Sequence, residues 1–226
     1  MSNPDPFNTA LQGLKAELST QAQRVLEQSI LAVECCFNHE AGKVRNVLDK
    51  EQEIDRADVE IERHSIPLLS MGQTDEHAIR SILTIVKVNN ELERIADCAL
   101  NVAEASNPNT TSLPEQLRVM ANSVLGMLRD TNYSLDNDDA PMARRVLDFD
   151  DTVDMFKKEI LLSAQRDLAN GSTDVESTFT LIAITKSLER IADHCTNICE
   201  QVIYLKTGKI VRHDAEGWSD PIEPEA

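Results

Sequence analysis

The chain has 226 residues, enough for one large domain or two of roughly 100 residues each. Hydrophobic residues make up 41% but aromatics only 4%, so a core must be built from Leu, Ile, Val and Ala, a mixture that suits helix packing better than a β-sandwich. A formal net charge of -17, with no stretch that concentrates Lys and Arg, argues against DNA, RNA or anionic lipid and points to cations and basic protein surfaces as partners.

The N-terminus, Met1 to Phe7, lacks the basic start and apolar run of a signal peptide. No run of about 18 apolar residues exists to span a bilayer, so a cytoplasmic chain is expected. The five cysteines Cys35, Cys36, Cys98, Cys195 and Cys199 are odd in number and show no CxxC spacing, which argues against a disulfide framework or a zinc ribbon. Cys195 and Cys199, one helical turn apart, read as small buried hydrophobes.

In chain order, the spans free of Gly and Pro and the apolar residues at three- and four-residue spacing predict six helices, at about 7–37, 40–69, 75–105, 114–136, 140–169 and 173–206. Thr74 and Thr173 precede acidic residues and are expected as N-caps; Pro114 suits a first helical turn. The Asn-, Thr- and Pro-containing stretch Ser106 to Leu113 reads as a linker. The expected fold is all-α, two tandem and similar three-helix bundles over 1–112 and 113–213, followed by an acidic, aperiodic tail over 214–226.

The bundles are similar because the sequence repeats. Leu92-Glu93-Arg94-Ile95-Ala96-Asp97 recurs as Leu188-Glu189-Arg190-Ile191-Ala192-Asp193, and the match continues through Asn101 with Asn197 and Glu104 with Glu200. One helix earlier, Val47-Leu48-Asp49 and Glu51 to Asp55 match Val146-Leu147-Asp148 and Asp150 to Asp154. Each half thus carries two acidic pairs spaced i, i+4: Glu51 with Asp55 and Glu93 with Asp97, then Asp150 with Asp154 and Glu189 with Asp193.

At about 100° per residue, Glu93, Asp97, Asn101 and Glu104 fall within roughly 80° of one another, opposite Leu92, Ile95, Ala99 and Val102. The acids are therefore expected as an outward stripe. Like charges at i, i+4 destabilise a helix by some tenths of a kcal/mol, so duplicated acidic pairs call for a compensating cation. If the second and third helices of a unit are antiparallel neighbours, four carboxylates and an Asn carbonyl meet in one region, an all-oxygen set that hard cations bind. Arg94 and Arg190, beside the stripe, are expected to neutralise acids on adjacent helices. None of the five histidines has a matching histidine in the other repeat, and no catalytic residue is expected.

The repeated Leu-Glu-Arg-Ile-Ala-Asp with its following Asn and Glu, together with Thr196-Asn197-Ile198-Cys199-Glu200, Tyr204, Thr207-Gly208-Lys209 and Val211-Arg212-His213, resembles the PhoU family over nearly the whole chain except its tail. The resemblance implies two three-helix bundles with multinuclear iron or zinc clusters at their surfaces, manganese or magnesium being chemically compatible. It implies negative regulation of phosphate uptake and of phosphate-starvation signalling, through the ATPase subunit of a phosphate ABC transporter and a phosphate-sensing histidine kinase. Carried over by position, the metal ligands are Glu51, Asp55, Glu93, Asp97 and Asn101 in the first unit and Asp150, Asp154, Glu189, Asp193 and Asn197 in the second, with Glu104 and Glu200 secondary. Ala96 and Ala192 stand where the family often has Gly, and Cys98 where it often has an aromatic or His; neither change removes a carboxylate.

This reading gives a non-enzymatic, metal-binding adaptor, cytoplasmic or held at the inner face of the membrane by its partners, with a homodimer as the default assembly. Two alternatives stand beside it. One is an acidic helical scaffold without metal. The other is a di-iron carboxylate enzyme, disfavoured because no Glu-x-x-His pair occurs.

Overall fold

The computed structural model describes residues 5–38, 41–71, 75–105 and 113–211. Most of the expected linker, and the acidic tail after residue 213, lie outside the described residues. Among the described residues there are six long helices: α1 (Pro6–Asn38), α2 (Val44–Ser70), α3 (Glu76–Glu104), α4 (Glu115–Asp136), α5 (Ala140–Ala169) and α6 (Val175–Thr207). The all-α, two-bundle expectation holds. Helices α1, α2 and α3 pack on one another, as do α4, α5 and α6, and the two bundles join through α3 against α6 and α1 against α4.

Two boundary expectations need correction. The second helix does not begin at 40: a short 3-10 turn, Ala41–Lys43, precedes α2, and Lys43 at the N-cap offers no side-chain acceptor. Gly42 within that turn explains the delay, because Gly is a poor helix former. Nor are the threonines the caps. Asp75 accepts from the Ala78 amide and Asp174 from the Ser177 amide, so each cap is the acid following the threonine; Thr173 stands one residue before its helix's cap, and Thr74 lies outside the described residues. A carboxylate both accepts the orphan amide and complements the positive end of the helix dipole.

Tight turns set the helix order within the second bundle. Asp138 takes a left-handed φ of 48° between α4 and α5, and Asp139 then caps α5 by accepting from the Met142 amide at 2.9 Å. Gly208, at φ 73°, ends α6 with its amide on Tyr204 O at 2.8 Å. Asp139→Ala is expected to destabilise the protein by about 1 kcal/mol, read as a lower urea midpoint at unchanged slope; an unchanged midpoint would show that the cap bond adds nothing.

The core follows the predicted stripes. Leu92, Ile95, Ala96, Ala99 and Val102 of α3 are buried, as are Leu188, Ile191, Ala192, Cys195 and Ile198 of α6, and one hydrophobic cluster runs through both bundles. Cys195 and Cys199 belong to it. Burial pushes both thiols up, Cys199 to about 12, so they stay protonated and act as packing atoms. Polar links cross between the bundles too. The Asn132 side chain donates to Ala22 O at 2.8 Å, and Glu91 of α3 accepts from Asn197 of α6 at 2.9 Å and pairs with His194 Nδ1 at 2.7 Å. Among the described residues, no helix is long and apolar enough to cross a membrane.

Candidate functional site

The middle helix of each bundle explains why acids and core meet. Along α2 the residues Val47, Glu51, Ile54, Asp58, Ile61, Ser65 and Leu68 recur in alternating steps of four and three, the spacing of a seam facing two neighbours. All but Asp58 are buried, and Asp58 is half-buried. Helix α5 repeats the seam with Val146, Asp150, Val153, Lys157, Ile160 and Ala164. Two ionisable residues therefore interrupt each seam at matching places, Glu51 and Asp58 in α2 and Asp150 and Lys157 in α5.

In the first bundle Glu51 is only 6% exposed, so it belongs to the buried seam rather than to the solvent face. Helix α1 covers it: Gln28, itself fully buried, donates its amide to the Glu51 carboxylate. Burial pushes the Glu51 carboxyl up to about 7 against that hydrogen bond, and Asp55 and Asp97 add like-charge repulsion. Glu93 on α3 is half-buried and is raised by burial, then by Asp97, Asp58 and Asp55. Asp58 is raised by burial, then by Glu62 and Asp55, while Asn89 of α3 donates to its carboxylate at 2.6 Å and to its main-chain oxygen at 3.0 Å. Glu51, Asp55, Glu93 and Asp97 therefore share one region, as expected, joined by Asp58. The exposed Asp55 and Asp97 form its outer side, and Asn101 and Glu104 are exposed further along α3.

The second bundle repeats the arrangement. Burial, then Asp193 and Asp154, push the Asp150 carboxyl up to about 6, and Asp193 is raised by burial, then by Glu189 and Asp154. Glu189 pairs with Lys157. Asp150, Asp154, Glu189 and Asp193 thus converge, but Asn197 is drawn elsewhere, its amide nitrogen committed to Glu91 across the bundle interface. Arg94 likewise departs from expectation: its Nε donates to Asn90 on its own helix at 3.0 Å, while its charge acts on Glu91 and Glu93 of that helix.

The donors at both places are carboxylate oxygens, with amide oxygens beside the first, the set that hard and borderline cations accept. Two buried oxygens without a hydrogen-bond partner, Gln28 Oε1 and Asn89 Oδ1, belong to side chains bonded to Glu51 and Asp58. The donor chemistry fits an oxygen-seeking cation. The side chains are not gathered to coordination distance: among the described residues no three His, Cys, Asp or Glu groups are placed to share a metal ion.

Sequence reasoning overlooked Gln28, Asp58, Asn89, Glu91, Lys157 and His194. The interrupted seam was a usable signal for Asp58 and Lys157. The remaining four act across helices, and no local pattern marks them.

Comparison with known proteins agrees with this architecture. The model of the PhoU domain matches twice, at residues 18–106 and 117–202, once per bundle. The chain is 30% identical over 216 residues to the phosphate-specific transport system accessory protein PhoU homolog 1 of Thermotoga maritima, covering 93% of each chain. It is 25% identical over 211 residues to the phosphate-specific transport system accessory protein PhoU of Escherichia coli K12, covering 92% of this chain and 88% of that one. The crystal structure of PhoU from Pseudomonas aeruginosa superposes with a TM-score of 0.86 at 26% identity, covering 89% of this chain and 99% of that one. The fold also matches that of the phosphate transport system regulatory protein PhoU from Streptococcus pneumoniae, at a TM-score of 0.85 and 24% identity, over 91% of this chain and 99% of that one. With both bundles matched and the likeness running over nine-tenths of its length, the chain belongs to the PhoU family.

Proposed function

We propose that the protein is a regulatory adaptor of phosphate transport that gathers metal ions on its carboxylate clusters. In this reading it restrains a phosphate ABC transporter and the associated sensor histidine kinase, docking on the ATPase subunit from the cytoplasmic side as a homodimer, and it turns over no substrate. The phosphate role is supported by family membership and by the names its relatives carry.

The metal role is carried by one observation: at matching places in the two seams, Glu51, buried, and Asp150, half-buried, lie among other carboxylates and are held above their ordinary range. A bound cation relieves that repulsion. The oxygen-only donor set suits iron, manganese or magnesium better than zinc, which favours Cys and His.

The test combines Asp97→Asn with Asp193→Asn and measures the metal content of protein purified without a chelating tag, alongside a phosphate-starvation reporter. Loss of metal together with derepression in phosphate-replete cells is expected. Signalling that is unchanged after metal is lost shows that the clusters are not the regulatory element.

The ungathered side chains favour a second reading, an acidic scaffold that docks a basic partner without metal. Absence of bound metal in protein expressed under metal-replete conditions selects that reading.

A further inference from the structure

We propose that Lys157 serves as the built-in cation of the second cluster, so that the two bundles take external cations unequally and the first is the dominant metal site. The inference rests on the metal-binding reading above and concerns how metal is distributed between the repeats.

The offset that carries Glu51 and Asp55 onto Asp150 and Asp154 carries Asp58 onto Lys157. One repeat therefore has a carboxylate where the other has an ammonium. The Lys157 Nζ lies 2.7 Å from Glu189 Oε1 and 3.5 Å from Asp154 Oδ1, bridging α5 to α6 at the place a cation would neutralise. Glu189 is only 18% exposed and Lys157 33%, so the pair is partly shielded from water. A metal ion entering here must displace the ammonium or bind against its charge.

The surroundings differ in the same sense. Asn89 holds Asp58, whereas the residue matching Asn89, Thr185, bonds its own helix at Leu181 O. Gln28 and Asn89 are 0% and 2% exposed, each is bonded to a first-cluster carboxylate, and each keeps one oxygen without a partner. None of the unpartnered buried atoms among the described residues belongs to a side chain bonded to Asp150, Asp154, Glu189 or Asp193. The first cluster thus has surplus acceptors, while the second already has a donor.

The experiment is calorimetric titration of manganese into the metal-stripped full-length protein and into Glu93→Gln, Glu189→Gln, Lys157→Met and Asp58→Lys. The tight manganese class is expected to disappear in Glu93→Gln and to persist in Glu189→Gln. Lys157→Met should tighten binding at the second cluster by about tenfold or more, since it removes a unit charge within a few ångström. Asp58→Lys should silence the first cluster; circular dichroism confirms that both variants remain helical. Equal losses in Glu93→Gln and Glu189→Gln, with no gain in Lys157→Met, overturn the inequality and leave the metal reading standing. No manganese uptake by any of the five proteins overturns both.

Discussion

Leu92→Ala is expected to lower the unfolding free energy by about 3 kcal/mol, while Glu93→Gln, the next residue on the same helix, should leave the cation-free protein as stable or slightly more so. Leu92 is completely buried, so truncation loses its transfer energy and leaves a cavity that the surrounding helices close only in part. Glu93 faces Asp97, Asp58 and Asp55, and its neutral amide removes like-charge repulsion. Urea titration with a chelator present reads both changes, with the slope as a check that unfolding remains two-state. A destabilisation by Glu93→Gln comparable to that of Leu92→Ala would show that the carboxylate is a structural partner rather than a repelled charge. With a divalent cation added the order should reverse for Glu93, because only the carboxylate form gains from binding.

The second large effect is on pH. Glu51 has its carboxyl at about 7 in the folded protein against an ordinary 4.5, so the native state holds a proton that the unfolded chain releases. Below about 4.5 both states are protonated and nothing is lost. Stability then falls as pH rises through the window from 4.5 to 7, and the loss is complete above it, at about 3 kcal/mol. Glu51→Gln keeps a polar group opposite Gln28 without the charge, so thermal unfolding in chelator should depend less on pH and the variant should be the more stable protein at pH 8. Asp150, pushed up to about 6, and the raised Asp58, Glu93 and Asp193 leave a residual slope of the same sign. Identical pH slopes in wild type and Glu51→Gln would place the Glu51 proton elsewhere. Cation binding needs the deprotonated form, so metal affinity should weaken as pH drops below about 7 and uptake should release protons.

The order of six helices, their duplication and the pairing of acids on the second and third helix of each unit were legible without coordinates. Each rests on local physics: helical period, turn residues and an i, i+4 spacing set by backbone geometry. Even the capping error was a displacement by one residue, because Thr-Asp leaves two acceptors competing for the same amides. The seam of α2 was also present in the sequence, but nothing local separates a seam acid such as Glu51 or Asp58 from a solvated one, because polar residues on an apolar stripe look like its edge until something covers them.

What covers Glu51 is α1, and only packing says so. Gln28 lies far from Glu51 in sequence, and its amide reaches the carboxylate because the bundle brings two helices together, turning an ordinary surface acid into a buried one. The same holds for Asn89 on Asp58, for Lys157 across α5 and α6, and for Asn197, which symmetry assigns to the second cluster but the α3–α6 interface draws to Glu91. Local periodicity fixes which residues share a face of one helix. Which face is shielded, which charge is answered and which is left unanswered depend on neighbours distant in the chain, and those distinctions set the electrostatics of the two clusters.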